Sequence, residues 1–248
     1  AKLSKVEYDQ VRQASAKKFR IQLKTLDTEV KKFKGSKPDL PFDEIEPYSE
    51  PIVPAELLDE IVATLKEFIV LNDDQAIATT LWIAFSWFID CFEIAPILLI
   101  NAPEKACGKT QLLDLVGRMS RRPMPVANSS AAFLFRTIEL HQPTMLFDEV
   151  DTFIKENIEM KGIVNAGHSR SNAFVGRTVG DNHEPKRFSV WCAKAFAGIT
   201  LDRHLPDATM SRAIVIDMRR KKSDETVSRL RNANKGVFST IAAKLARF

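Results

Sequence analysis

Cysteine is scarce in this sequence, and its spacing excludes two kinds of scaffold. The 248 residues include three cysteines, Cys91, Cys107 and Cys192, and no two of them form a C-x-x-C pair. A disulfide framework or a cysteine-based zinc site needs more cysteines at closer spacing. Because free thiols are typical of reducing compartments, we expect a cytoplasmic protein.

A hydrophobic run long enough to cross a membrane is also lacking, as is a signal-peptide pattern. The most apolar stretch, AIATTLWIAFSWFIDCF at 76–92, includes two threonines, a serine and an aspartate. A spanning helix needs about 20 predominantly apolar residues. We therefore predict a buried core helix at 75–91 and no membrane partner. No internal repeat or low-complexity segment is found.

Charge and proline divide the chain into four segments. Residues 1–37 carry eleven Lys and Arg against four acids and are predicted to be helical over 4–34. An acidic, proline-rich linker follows at 38–54, since proline at this density is incompatible with a helix. We expect a core at 55–222 and a C-terminal helical segment at 223–248 that is truncated. The basic N-terminal segment is either a contact for DNA or a neighbouring subunit, or a solvated helix face.

Five short apolar runs alternate with helical patterns in the core. These runs are ILLI (97–100), MPVAN (124–128), TMLFDEVD (144–151), KAFAGIT (194–200) and AIVIDM (213–218). The alternation predicts an α/β fold with a mostly parallel sheet flanked by helices. Two β-rich stretches around GDNHEP predict a β-hairpin insertion within 172–192. A serine at the start of 129–141 predicts a capped helix there.

The segment NAPEKACGKTQ, which follows the first strand, resembles a phosphate-binding loop. Of the pattern G-x-x-x-x-G-K-[ST], Gly108, Lys109 and Thr110 are present, and Pro103 replaces the first glycine. Backbone N–H groups at the start of the next helix would face the phosphates, Lys109 would reach them, and Thr110 would hold Mg²⁺. The predicted nucleotide-binding residues are Pro103, Glu104, Lys105, Ala106, Cys107, Gly108, Lys109, Thr110 and Gln111.

A second acidic motif strengthens the interpretation as a nucleotide site. Asp148 and Glu149 end the third predicted strand, and Asp148 lies 38 residues after Thr110. Asp148 would support Mg²⁺, whereas Glu149 would polarise the attacking water. The alternative is that Asp148, Glu149 and Asp151 cap the following helix.

Two loop residues bear on how the loop would bind phosphates. Pro103 fixes φ and removes one N–H, so the loop is stiffer at its start while the donors nearer the helix remain. Cys107 is either an oxidation-sensitive thiol or a small residue that fills the loop.

Taken together, these motifs resemble the AAA+-type P-loop ATPases. Residues 42–231 are most similar to an ATPase domain, formerly of unknown function, found in primase- and helicase-like proteins of phages and mobile elements. The resemblance rests on PILLINAPEKACGKTQLL, PTMLFDEVDTF, IVNAGHSRSNAFVGRTVGD, FSVWCAKAFAGI and LPDATMSRAIVIDMRR. In that family, proline is frequent in this segment of the phosphate loop.

The resemblance implies roles for residues beyond the loop. Thr200 falls where these ATPases carry a polar sensor of the γ-phosphate, usually an asparagine. Arg212 falls where they place an arginine finger that reaches a neighbouring subunit's nucleotide; the alternative is an ion pair that seats the last strand. His168 and Arg170 are further candidates for that interface. The implied assembly is a homo-oligomer, expected to be a hexameric ring.

The hairpin falls where related ring helicases grip DNA. Arg177, Lys186 and Arg187 would contact phosphates, and His183 would touch the single strand; the alternative is a solvated hairpin with scattered charge. The resemblance therefore implies a Mg-ATP-dependent DNA helicase domain that meets single-stranded DNA, with a primase as a further partner. The competing classes are an ATP-dependent loader or remodelling switch acting on a protein, and a nucleotide-binding module without turnover. A small-molecule kinase is least supported.

Overall fold

The chain divides into two units, Ala1–Asp43 and Glu44–Phe248. The computed structural model describes residues 5–19, 21–27, 42–127, 129–150, 158–180, 183–233 and 235–248. The boundary between the units falls inside the segment predicted as a linker. The predicted core and C-terminal segments both lie in the second unit.

The first unit contains helix α1, Lys5–Phe19, and a second helical stretch at 23–27. The hydroxyl of Tyr8 donates to the carboxylate of Asp27 at 2.9 Å, and an arginine of α1 forms an ion pair with the same group. These contacts hold the second stretch against α1. The continuous helix predicted over 4–34 is therefore wrong where the two stretches separate, and its last part lies outside the described residues.

The second unit is built on a five-stranded parallel sheet. Its strands are β1 (Ile97–Ala102), β2 (Pro123–Val126), β3 (Thr144–Phe147), β6 (Lys194–Ile199) and β7 (Ala213–Asp217). They lie in the order β2-β3-β6-β1-β7. All of β3 and the first four residues of β1 are buried, which is typical of a parallel sheet covered on both faces.

A separate antiparallel hairpin pairs β4 (Phe174–Val179) with β5 (Glu184–Ser189). The predicted α/β fold, its mostly parallel sheet and its hairpin insertion are thus confirmed.

Seven helices follow in the described part of the second unit. They are α2 (Pro54–Phe68), α3 (Asp73–Phe88), α4 (Lys109–Met119), α5 (Ala131–His141), α6 (Ile158–Ala166), α7 (Asp207–Met210) and α8 (Lys235–Arg247). Local sequence fixes several of their starts. Asn72 and Gln75 form a capping box at α3. The predicted serine cap of α5 is confirmed, since Ser130 Oγ accepts a bond from the Phe133 N–H at 3.2 Å.

The helices pack in two groups. Helix α8 contacts α2, α3 and α4, while α5 and α6 contact each other and the hairpin. Trp82 of α3 is 1% exposed and donates to the Pro96 carbonyl at 2.9 Å, which confirms the predicted core helix. Among the described residues, no helix has the length and apolar character that crossing a membrane requires.

The C-terminal segment begins its helix later than the pattern predicts. Residues 223–229 are not helical, and α8 starts only at Lys235. The Ser228 N–H donates instead to the Glu67 carbonyl at the end of α2, at 2.8 Å. The helical prediction for 223–248 is therefore wrong over 223–229, where the Ser228 N–H finds its acceptor in α2 rather than in its own segment.

Candidate functional site

The candidate site lies at the edge of the sheet where the five parallel strands end. The loop 103–108 follows β1, Asp148 follows β3, Thr200 follows β6, and Asp217 ends β7. Ligands of open α/β sheets bind at this edge. Most of the predicted site residues are therefore brought to one edge by the order of the strands.

The loop between β1 and α4 alternates the sign of its φ angles. Ala106 and Gly108 have φ of 64° and 82°, while Cys107 between them does not have a positive φ. Such alternation is typical of nests, in which successive N–H groups face an anion. The φ of Gly108 is one that L side chains rarely adopt, so glycine is favoured where α4 begins. A Cβ there would also lie 2.7 Å from Cδ1 of Ile69, which would have to shift.

Cys107 is the one buried residue of this loop. Its side chain is 4% exposed, and its Sγ lies 3.9 Å from the Lys105 carbonyl. This placement supports the alternative that Cys107 fills the loop as a small residue. All three cysteines of the chain are free thiols.

The two predicted Mg²⁺ ligands meet directly. Thr110 Oγ1 donates to Asp148 Oδ2 at 2.8 Å, across the position of β6 in the sheet. Both are hard oxygen donors of the kind Mg²⁺ prefers, and a magnesium site completes its shell with water and phosphate oxygens. The described residues contain no group of three or more His, Cys, Asp or Glu side chains placed to hold a metal. A site with two protein oxygens therefore fits Mg²⁺ bound together with phosphates.

Two predicted site residues have backbone conformations that non-glycine residues rarely adopt. Glu149 has φ 53°, and its N–H donates to Asp148 Oδ1 at 3.0 Å. Thr200 has φ 47° and ψ 49°, and its N–H donates to the Ala102 carbonyl at 2.9 Å. Such strained residues cluster at functional sites. The capping alternative for Asp151 lies outside the described residues.

Asn101, which the sequence analysis does not single out, ties three strand ends together. Its Nδ2 donates to Asp217 Oδ1 at 2.9 Å, and its Oδ1 accepts from the Leu201 N–H at 2.9 Å. Its carbonyl accepts from the Met218 N–H at 2.7 Å. The signal in the sequence was a polar residue at the end of an apolar strand.

Two cavities border the start of α4. One, of about 1170 Å³, lies between α4 and residues 221–231, and the other, of about 520 Å³, lies between α4 and β2 and includes Asp148. Both are lined by Thr110. Gln111 also lines the larger cavity, and its Nε2 donates to the Phe68 carbonyl at 2.7 Å. No described residue forms a hydrogen bond or an ion pair with the Lys109 ammonium.

The basic run after β7 lies against the loop. Arg220 Nε pairs with Glu104 Oε1 at 3.0 Å, and its NH2 donates to the Lys105 carbonyl at 3.4 Å. Arg219 instead binds Glu225 of its own segment. Hydrogen bonds from the Arg219 guanidinium and from the backbone lower the pKa of Glu225 to about 2. Sequence reasoning missed these contacts because they join distant segments.

Arg212 is not part of this edge. It precedes β7, so it lies where the parallel strands begin, and its NH1 donates to the Asn165 carbonyl at 3.3 Å. His168 lies at the same end, with Nδ1 3.2 Å from the Ala95 carbonyl, and Arg170 donates to the Asp90 carbonyl. The salt bridge that was the alternative for Arg212 is not present among the described residues, where its partner is a carbonyl.

The basic side chains of the hairpin lie over aromatic rings. Arg177 pairs with Glu159 of α6, and its guanidinium lies 5.1 Å from the Phe135 ring centroid. Lys186 lies 4.8 Å from the ring of Phe188. Arg187 stacks similarly on Phe174 at 4.5 Å, and the exposed His183, with φ 53°, lies at the tip. The predicted DNA-contacting residues thus share one hairpin, and Arg177 already has an ionic partner.

Comparison with known proteins assigns no family: no protein-family model matches the chain, and no curated protein is significantly similar to it.

Proposed function

We propose that the second unit is an AAA+-like P-loop ATPase that hydrolyses Mg-ATP and acts as a motor on single-stranded DNA. The observation that carries the proposal is the hydrogen bond between Thr110 and Asp148. These residues come from the two motifs that the sequence predicts to share a metal, and the backbone of the loop that precedes α4 has the φ alternation of an anion-binding nest.

Each residue of the edge then has one task. Loop N–H groups and Lys109 bind the phosphates, while Thr110 and Asp148 hold Mg²⁺, which would neutralise phosphate charge. Glu149 orients the attacking water and accepts its proton. Thr200, whose N–H is bonded to the carbonyl that precedes the loop, senses the terminal phosphate. Arg212 lies too far along the strands to act on its own loop, so its role as a finger requires a neighbouring subunit in a ring.

The decisive experiment compares ATP binding and ATP hydrolysis in two variants. Glu149→Gln should retain binding and lose hydrolysis by about 100-fold or more, because general base catalysis contributes about 10²–10⁴-fold. Lys109→Ala should lose binding as well. Glu67→Gln, which removes an exposed carboxylate on α2, is the matched control. Full hydrolysis by Glu149→Gln would refute the assigned base, and absence of ATP binding by the wild-type chain would refute the whole proposal.

The DNA part of the proposal rests on the hairpin. Lys186 and Arg187 are exposed cations that lie over the rings of Phe188 and Phe174, respectively. The cations suit contact with phosphates, and the exposed Phe174 ring suits stacking of a base. Replacing both with Gln should remove the stimulation of ATP hydrolysis by single-stranded DNA and flatten the salt dependence of DNA binding. Removing two charges elsewhere, with Lys161→Gln and Arg247→Gln, should leave both properties unchanged. Stimulation that survives the hairpin variant would contradict the motor assignment.

A second candidate function is an ATP-dependent loader or remodelling switch that acts on a protein partner, a primase being one expectation. It is favoured by the contact between Arg177 and Glu159, which holds the hairpin on α6 rather than leaving it available to DNA. Wild-type ATPase activity that single-stranded DNA does not alter would favour this candidate. Sizing the protein with and without ATP and DNA tests the predicted ring.

A further inference from the structure

Arg220 joins two parts of the chain that are 115 residues apart. Its guanidinium contacts both the side chain of Glu104 and the carbonyl of Lys105, and both acceptors belong to the phosphate loop. The neighbouring Arg219 is engaged by Glu225, whose carboxylate also accepts from the Lys222 N–H at 2.8 Å. Within this basic run, Arg220 is therefore the residue directed at the loop.

The backbone that presents Arg220 is fixed to the edge of the sheet. Two residues earlier, the Met218 N–H donates to the Asn101 carbonyl at 2.7 Å. The Asp217 carbonyl accepts from Gln75 Nε2 at 2.7 Å. The fixed backbone keeps the Arg220 guanidinium within reach of the loop without any rearrangement of the chain.

The pair between Arg220 and Glu104 contributes little to folding. Their side chains are 59% and 55% exposed, and ion pairs exposed to this degree contribute little to stability because solvent screens them. A guanidinium binds phosphate oxygens with the same paired geometry that it offers to carboxylates. The Arg220 guanidinium is thus only weakly held by Glu104, and its geometry suits the nucleotide phosphates proposed to bind at the adjacent loop.

We infer that Arg220 is a phosphate-binding residue supplied by the same chain, for which Glu104 and a bound polyphosphate compete. The inference rests on the proposed function, because it assumes that the loop binds a nucleotide. Arg220 thereby adds a positive charge that reaches the loop from beyond β7. Glu104 lowers the affinity for polyphosphate, because it competes for the same guanidinium. The loop would thereby release nucleotide more readily than a loop without the carboxylate.

The test measures binding of ATP and of inorganic tripolyphosphate to the full chain. Arg220→Gln should weaken both ligands about tenfold, as expected for the loss of one charge-assisted hydrogen bond. Glu104→Gln should tighten both a few-fold. Lys222→Gln, which removes one cation from the same run, should stay within about twofold. The thermal midpoint of each variant should match wild type, since the pair is exposed.

The outcomes separate the two proposals. If Lys109→Ala abolishes binding while Arg220→Gln binds like Lys222→Gln, the inference is wrong and the ATPase proposal stands. If Glu104→Gln weakens binding, Glu104 is not a competitor and the inference is also wrong. If the wild-type chain binds neither ligand, both proposals fall.

Discussion

Replacement of Lys194 tests whether a buried cation holds three parts of the core together. Lys194 is 3% exposed, and its ammonium donates to the carbonyls of Gly167, Val190 and Cys192 at 3.3, 3.3 and 3.0 Å. Among the described residues, no other donor reaches these carbonyls. The three carbonyls follow α6, follow β5 and precede β6, so a single side chain joins the hairpin to the sheet.

The expected cost of Lys194→Met follows from these bonds. Methionine keeps an unbranched apolar chain but leaves three buried carbonyls without donors, and each such group costs about 1–3 kcal/mol. Because removal of a buried charge also relieves its desolvation, the lower figure applies to each carbonyl. We therefore expect a loss of about 3 kcal/mol in the free energy of unfolding. For a unit of this size the midpoint should fall by about 6–12 °C.

Urea denaturation of the wild-type chain and the variant measures this loss. Lys161→Met provides the control, because it makes the same replacement on α6, where the lysine is only half-buried. It should change stability by no more than about 0.5 kcal/mol. Equal stabilities for Lys194→Met and Lys161→Met would refute the reasoning, since the three carbonyls would then have found other partners.

Further predictions concern backbone strain and pH. Gly108→Ala places a Cβ 2.7 Å from an isoleucine methyl at φ +82°, so it should destabilise the chain by about 1–2 kcal/mol and weaken ATP binding. Gly162→Ala, with nothing within 4 Å, should stabilise α6 by about 0.5–1 kcal/mol; equal effects of the two variants in urea denaturation would contradict both predictions. Hydrogen bonds from the Arg219 guanidinium and from the Lys222 N–H lower the pKa of Glu225 from 4.5 to about 2, so ionised Glu225 stabilises the fold above pH 4.5, and this stability is lost as pH falls through about 2. Arg219→Gln should return the Glu225 pKa toward 4.5 in an NMR titration, and an unchanged value would exclude Arg219 as the cause. Burial raises the pKa of the Cys192 thiol above 9.0, so this thiol ionises first in the unfolded chain, and the free energy of unfolding should fall as pH rises above 9.0. Cys192→Ala should make that fall with pH less steep. An equally steep fall in the variant would refute the assignment to Cys192.

Features that depend on short-range patterns could be predicted from the sequence. The apolar runs of β1 and β3 specify buried strands, and parallel strands bring their ends to one edge, so the placement of Thr110 and Asp148 at that edge could be predicted. The strand order that leaves β6 between β1 and β3 could not be predicted from these runs. The starts of α5, which Ser130 caps, and of α4, which follows Gly108, could also be predicted from the sequence.

Features that depend on long-range side-chain contacts could not be predicted in this way. Lys194 has the charge of a surface residue, yet three carbonyls placed by distant segments bury it. Arg220 appears in the sequence as one of four successive cations, and only the folded chain distinguishes it from its neighbours. The positive φ of Glu149 is likewise imposed by the surrounding fold rather than by residue type.

The close approach of α4 to β3 has a consequence for how this chain tolerates change. A Cβ at Gly117 would lie 2.6 Å from Cδ1 of Leu146, so the leucine side chain would have to shift to admit one. Thr110 stands two turns earlier on that helix, and Asp148 stands two residues after Leu146. A bulkier residue at 117 would press on β3 two residues before Asp148, and we expect it to lengthen the Thr110–Asp148 hydrogen bond without replacing any residue of the site.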